Sequence, residues 1–178
     1  MAPAGEKHDH AALMDSIYRG QKYIYDVTRK YYLFGRDDLI RGLECEAGDA
    51  VLEIACGTGR NLAKVQQAYP GTKLFGIDIS AEMLKSAAGK LGTSAILAPA
   101  DARQFDARAM LGRPTFERVI LSYSVSMIPD WERAMRHAAT LVAPGGSLHV
   151  VDFGSYSARD TLGARILKWW LKQFRVSP

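Results

Sequence analysis

From Ala50 onward, short apolar runs alternate with amphipathic stretches. Ala50–Ile54, Lys73–Ile77, Ala95–Pro99, Val119–Ser122 and Ser147–Phe153 read as strands, each bounded by turn residues or polar segments. Asn61–Tyr69, Ala81–Lys90 and Trp131–Val142 carry helical periodicity. The first of these helices ends at Pro70-Gly71, the second starts behind Ser80 as a good N-cap, and the third closes at Pro144-Gly145-Gly146. This alternation predicts an α/β fold, a mostly parallel sheet with helices on both faces.

The ends of the chain differ from this core. Residues 1–12 are small and polar without periodicity and read as a flexible tail. Residues 14–34 read as a helix broken near Gly35, followed by a shorter helical piece Asp37–Leu43 and a loop Glu44–Asp49. A last helix is expected from Ala158 to Phe174. At about 100° per residue, Arg165, Lys168, Lys172 and Arg175 fall in one arc of it, opposite Leu162, Ile166, Trp169, Trp170 and Phe174. The expected organisation is a tail over 1–12, a helical lid over 13–48, a ligand-binding core over 49–155 and a basic amphipathic helix over 156–178.

Composition narrows the class without changing this picture. The 178 residues fit one domain, 48% apolar and 24% charged, as in an ordinary soluble protein. No apolar run approaches the roughly 18 residues of a membrane span, and no signal-type apolar region follows the N-terminus. Cys45 and Cys56 do not make a disulfide framework, and a cytoplasmic location is expected. His8, His10 and His137 show no metal-ligand arrangement, so no metal is expected. The net charge of +4 suits an anionic surface or nucleic acid. Its clearest cluster shares a helix with two tryptophans, which favours a lipid interface over nucleic acid.

The chemistry concentrates at strand ends. Glu53-Ile54-Ala55-Cys56-Gly57-Thr58-Gly59 follows a strand and opens into a helix, where small residues let backbone N–H groups approach a ligand. Asp78 ends the second strand about 20 residues on, the place of an acid that binds ribose hydroxyls. Asp101 follows the third strand, where a carboxylate can accept from an adenine amino group. Taken singly, these are also a loop glycine and solvent-facing acids; jointly they mark a nucleotide-like cofactor edge. A nicotinamide dehydrogenase would need G-x-G-x-x-G, and Leu62 stands where its third glycine belongs.

Val51–Gly59 resembles motif I of class I S-adenosylmethionine-dependent methyltransferases, with Ala55 in place of the first glycine. Gly76-Ile77-Asp78-Ile79-Ser80-Ala81-Glu82-Met83-Leu84 resembles motif II, Asp101-Ala102 the adenine motif, and Pro144-Gly145-Gly146-Ser147-Leu148 the turn before the fifth strand. The resemblance implies a Rossmann-like core that binds S-adenosyl-L-methionine. Glu53, Ala55, Gly57, Gly59, Asp78, Ile79, Met83, Asp101, Ala102 and Ser122 are then cofactor residues, and Arg29 is placed to bind a carboxylate. It also implies two further antiparallel strands after the fifth, for which no sequence is expected before Pro178.

A narrower resemblance rests on Tyr25–Asp37, Gly57–Leu62, Leu121–Trp131 and Trp170–Pro178. These segments are similar to the N-methyltransferase of bacterial betaine-lipid synthesis, which trimethylates the amine of diacylglyceryl-homoserine. A lipid acceptor implies a peripheral position at the inner membrane face, where cations of the last helix contribute about 1 kcal/mol each. Tyr18, Tyr25, Arg29 and Tyr32 share one face of the first helix, which either packs on the domain or lids the site. As a lid, its tyrosines would cage a methylated ammonium together with Tyr123. Tyr25, Tyr123 and Asp152 are therefore the expected reacting-centre residues, with Tyr18, Tyr32, Arg36 and Met127 on the substrate. His149 is read as structural rather than as a proton relay. A phosphatidylethanolamine or quinone-precursor methyltransferase is the alternative.

Overall fold

A computed structural model describes residues 35–152. In chain order they form α1 (Arg36–Arg41), β1 (Ala50–Ile54), α2 (Arg60–Ala68), β2 (Lys73–Asp78), α3 (Ala81–Leu91), β3 (Ala95–Pro99), α4 (Ala107–Leu111), β4 (Phe116–Ser122), α5 (Trp131–Thr140) and β5 (Val142–Val151). The five strands make one sheet in the order β3-β2-β1-β4-β5, and every pairing is parallel. The lid tyrosines, Arg29 and the basic helix lie outside the described residues.

β1 is the central strand and all five of its residues are buried. Helices on both faces account for its burial, and every residue but Glu53 is apolar. One core, with Leu52, Ile54, Phe116, Val119 and Leu121, faces α4 and α5. The other, with Val51, Leu62, Val65, Leu91 and Ile120, faces α1, α2 and α3. Each such side chain contributes on the order of 1.5–3 kcal/mol on burial.

Ser80 caps α3 as expected, its hydroxyl accepting from the Met83 N–H at 3.3 Å. The expected β4 and β5 were too short. β4 starts at Phe116, where Phe116 packs edge-on against Phe75 at 5.1 Å. β5 starts at Val142 and runs through Pro144-Gly145-Gly146, so α5 stops at Thr140. The register shift between Phe116 and Arg118 absorbs this stretch. A Cβ on Gly146 would lie 2.6 Å from the Glu117 carbonyl oxygen, so glycine lets the two strands approach there. α4 was not foreseen. Its signals are the Asp106 cap, which accepts from the Ala109 N–H at 3.0 Å, and left-handed Gly112 behind it.

The order places the sheet's switch point between β1 and β4. In open α/β sheets that is where the carboxyl ends of the strands leave a crevice.

Candidate active site

β1 runs into a turn whose φ is positive at Ala55 (56°), Gly57 (54°) and Gly59 (71°). Glycine accepts this at little steric cost, whereas Ala55 carries strain of about 1–2 kcal/mol. Gly59 has a second constraint, because a Cβ there would come within 2.9 Å of Leu91 and 3.1 Å of Ala87 on α3. The Cys56 N–H donates to the Ile77 carbonyl at 2.9 Å and fastens the turn to β2.

Asp78 organises this turn from the side. One carboxylate oxygen accepts from the Gly57 N–H at 2.8 Å, and the other from the Ser80 N–H at 2.9 Å. Asp78 and Ile79 line an open cleft together with Ala55, the Ala100–Arg103 turn beyond β3, and Ile128-Pro129. Small apolar side chains and two acids converge there, a lining that suits a flat polar ring on a hydroxylated sugar. Asp101 is held by Arg103, which donates to it from its backbone N–H at 2.9 Å and from both ends of its guanidinium. The sequence reading missed Arg103, although its spacing of two from Asp101 was visible. Met83 is buried in the first turn of α3 and is not among the residues that line the cleft.

Glu53 lies beneath the turn, only 2% exposed. The Asn61 carboxamide of α2 donates to its Oε1 at 2.7 Å. Among the described residues its Oε2 has no hydrogen-bond partner. Burial pushes the carboxyl up to about 7, against the opposing pull of Asn61 and the more distant Arg36.

A second polar group occupies the ends of β4 and β5. Tyr123 takes a left-handed conformation (φ 53°), and its N–H donates to the Val151 carbonyl at 2.7 Å. A tyrosine held there is strained, a condition that accumulates at functional sites. The Arg36 guanidinium lies over its ring at 5.4 Å and donates to the Ser122 hydroxyl at 3.3 Å. Burial raises the Tyr123 hydroxyl above its ordinary value; Arg36 opposes this and Asp152 adds to it. Asp152 accepts from the Ser126 N–H at 3.2 Å. Met127 follows on the same turn, its N–H on the Ser124 carbonyl at 3.0 Å. Two buried hydroxyls of the turn, Ser124 and Ser126, have no partner among the described residues. Sequence reasoning passed over both; their alternation directly behind a strand end was the available signal.

The segment from Tyr123 to Pro129 thus borders both regions, with Ile128-Pro129 on the cleft and Ser124 and Ser126 beside Tyr123 and Asp152. His149 pairs with Ile120 two residues short of the strand end and shares a 2.7 Å hydrogen bond with Ser147. Among the described residues no cluster of His, Cys, Asp and Glu could hold a metal.

Comparison with known proteins adds three findings. The sequence profile of the family described as "Methyltransferase domain" matches residues 52–148. The chain is 28% identical over 154 residues to the ubiquinone/menaquinone biosynthesis C-methyltransferase UbiE of Klebsiella pneumoniae, covering 83% of this chain and 61% of that protein. It therefore spans about three fifths of the length of that curated relative. It also superposes on the sugar N-methyltransferase KedS8 from Streptoalloteichus with a TM-score of 0.60 and 26% identity, over 79% of this chain and 57% of that one.

Proposed function

Because the chain belongs to the methyltransferase-domain family, we propose that it transfers methyl groups from S-adenosylmethionine to the amine of diacylglyceryl-homoserine, three times, giving the betaine lipid. The residues present fit the donor. The cleft supplies Asp78 and Asp101 beside apolar walls for a nucleoside, and the turn supplies a buried Glu53 oxygen with no partner among the described residues. Bound there, the donor presents an electrophilic methyl group on a sulfonium. The protein's own contribution is placement. Asp78 fixes the glycine turn, Arg103 fixes Asp101, and the Tyr123–Pro129 segment joins the donor cleft to the acceptor corner.

The observation that carries the amine reading is the placing of Tyr123 and Asp152 just beyond the ends of β4 and β5, joined through the Tyr123 N–H to Val151 bond, with Asp152 on the Ser126 N–H of the same turn. An aromatic face and a carboxylate both favour the nitrogen, which turns cationic in each transfer as the donor leaves as a thioether. It gives up a proton to water or Asp152 before the next. An α-amine of pKa about 8 is already partly neutral at working pH, so orientation rather than a buried base supplies most of the acceleration. Tyr18, Tyr25, Arg29 and Tyr32 complete this reading as a lid, and the basic helix as a contact with the membrane. Among the described residues no helix is long and apolar enough to cross a membrane. A second reading, carbon methylation of a quinone precursor, is favoured by the activity named for the UbiE relative.

The test uses purified protein, labelled S-adenosylmethionine, and the homoserine lipid and a demethylated quinone in separate mixed micelles, with products read by mass spectrometry. Mono-, di- and trimethyl lipid, lost in Asp78→Ala, is the expected result. Methylated quinone with unchanged lipid would overturn the amine reading.

A further inference from the structure

Resting on that reading, we infer that Arg36, Ser124 and Ser126 form the subsite for an anionic group of the acceptor, so that the enzyme selects a zwitterion by both of its charges. The Arg36 guanidinium lies over the Tyr123 ring and reaches Ser122, while Asp152 sits on the backbone of Ser126. A cation therefore lies over the aromatic ring, and a carboxylate sits on the turn that follows it. That arrangement is matched by a ligand carrying an anion beside a basic nitrogen.

The serines point the same way. Ser124 is 5% exposed, and neither its hydroxyl nor that of Ser126 has a hydrogen-bond partner among the described residues. An unsatisfied buried hydroxyl is costly, and folded proteins keep few of them. Two, with one residue between them, on the turn behind a strained tyrosine, are explained together if a ligand's oxygens are their acceptors. Guanidinium and hydroxyl donors around one anion make charge-assisted bonds, stronger than neutral ones. The anion can be a carboxylate or a phosphate, and the assay separates the two.

Initial rates are measured with diacylglyceryl-homoserine, its carboxyl methyl ester, phosphatidylethanolamine and a demethylated quinone in matched mixed micelles. Donor affinity is measured in parallel by calorimetry. The wild type is expected to favour the free acid over the ester by about 100-fold in kcat/KM, the scale of two charge-assisted bonds. Arg36→Gln should collapse that preference with donor affinity unchanged. Ser124→Ala and Ser126→Ala should each raise KM for the acid without lowering the melting temperature, since losing an orphan hydroxyl does not weaken the fold. Equal use of acid and ester, a preference surviving in all three variants, or donor affinity lost in Arg36→Gln would each overturn the subsite. Phosphatidylethanolamine as sole substrate, with turnover lost in Arg36→Gln, would sink the homoserine reading and keep the subsite. Turnover of the quinone alone, or of nothing by donor-bound protein, would overturn both.

Discussion

The Asn61 carboxamide donates to Glu53 Oε1 across 2.7 Å, joining the end of β1 to the first turn of α2 through a bond with both residues buried. No other side chain among the described residues donates to that carboxylate. Asn61→Leu should therefore cost about 1–3 kcal/mol at pH 8, the penalty of taking from a buried carboxylate its side-chain donor while the Leu62 backbone bond remains. Urea unfolding at pH 8 and pH 5 checks this. The cost should shrink at pH 5, where Glu53 is protonated.

The same carboxyl makes stability depend on pH in a definite direction. Its folded value of about 7 lies above the ordinary 4.5, so between those values the folded state binds more protons than the unfolded one. The contribution is fully present below pH 4.5 and is lost as pH rises through 7. Glu53→Gln lacks the titration. The stability of Glu53→Gln relative to wild type should thus rise between pH 5 and pH 8, by up to about 3 kcal/mol. A gap that stays constant across this range would show that Glu53 is not held protonated by burial.

Two glycines separate close packing from backbone freedom. A Cβ on Gly76 of β2 would meet Leu97 at 2.8 Å, Cys56 Sγ at 2.9 Å and Leu62 at 3.0 Å, whereas one on Gly89 of α3 meets nothing within 4 Å. Gly76→Ala should destabilise by about 1–3 kcal/mol and disturb the turn through Cys56. Gly89→Ala should stabilise by about 0.5–1 kcal/mol through helix propensity. Denaturant midpoints of the two variants, with unchanged slopes, test both.

The legible parts of the sequence were those where one local rule decides. β1 is buried throughout and apolar but for Glu53 because both faces are covered, and Ser80 caps α3 with its own hydroxyl. Asp78 and Asp101 were placed at strand ends, and the structure brings both to one cleft. Their partners were not legible. Asp78 serves the Gly57 N–H, 21 positions away, and Asn61 reaches Glu53 across a strand-to-helix turn, which periodicity does not report. The start of β5 was missed for a similar reason. Pro144-Gly145-Gly146 reads locally as a helix stop, yet pairing with β4 draws it into the sheet, since tertiary contacts override propensity.

His137 links the cleft wall to pH. The Phe105 N–H donates to its Nε2 at 3.3 Å, and the Phe105 ring stands edge-on to the imidazole at 4.8 Å. One turn earlier on α5, Arg133 donates to Gln104, which bridges back to Asp101. α5 thereby braces the turn that carries Asp101, Ala102 and Arg103 into the cleft. Burial lowers the His137 value from 6.5, and the Arg133 cation adds to the shift. For a depressed histidine the unfolded chain takes the proton first, so its contribution is present above 6.5 and lost as pH falls through the folded value. Protonation also turns Nε2 from acceptor to donor and forfeits the Phe105 bond. Donor binding, measured by calorimetry from pH 7.5 to 5, should weaken in the wild type by several-fold, the scale of one neutral hydrogen bond. His137→Gln offers an acceptor that does not titrate and should flatten that dependence. His149 shifts in the same direction from mid-strand. His149→Gln should therefore reduce the acid sensitivity of unfolding while leaving the pH dependence of donor binding intact. If His137→Gln and wild type lose donor affinity in parallel as pH falls, the brace does not act through this imidazole.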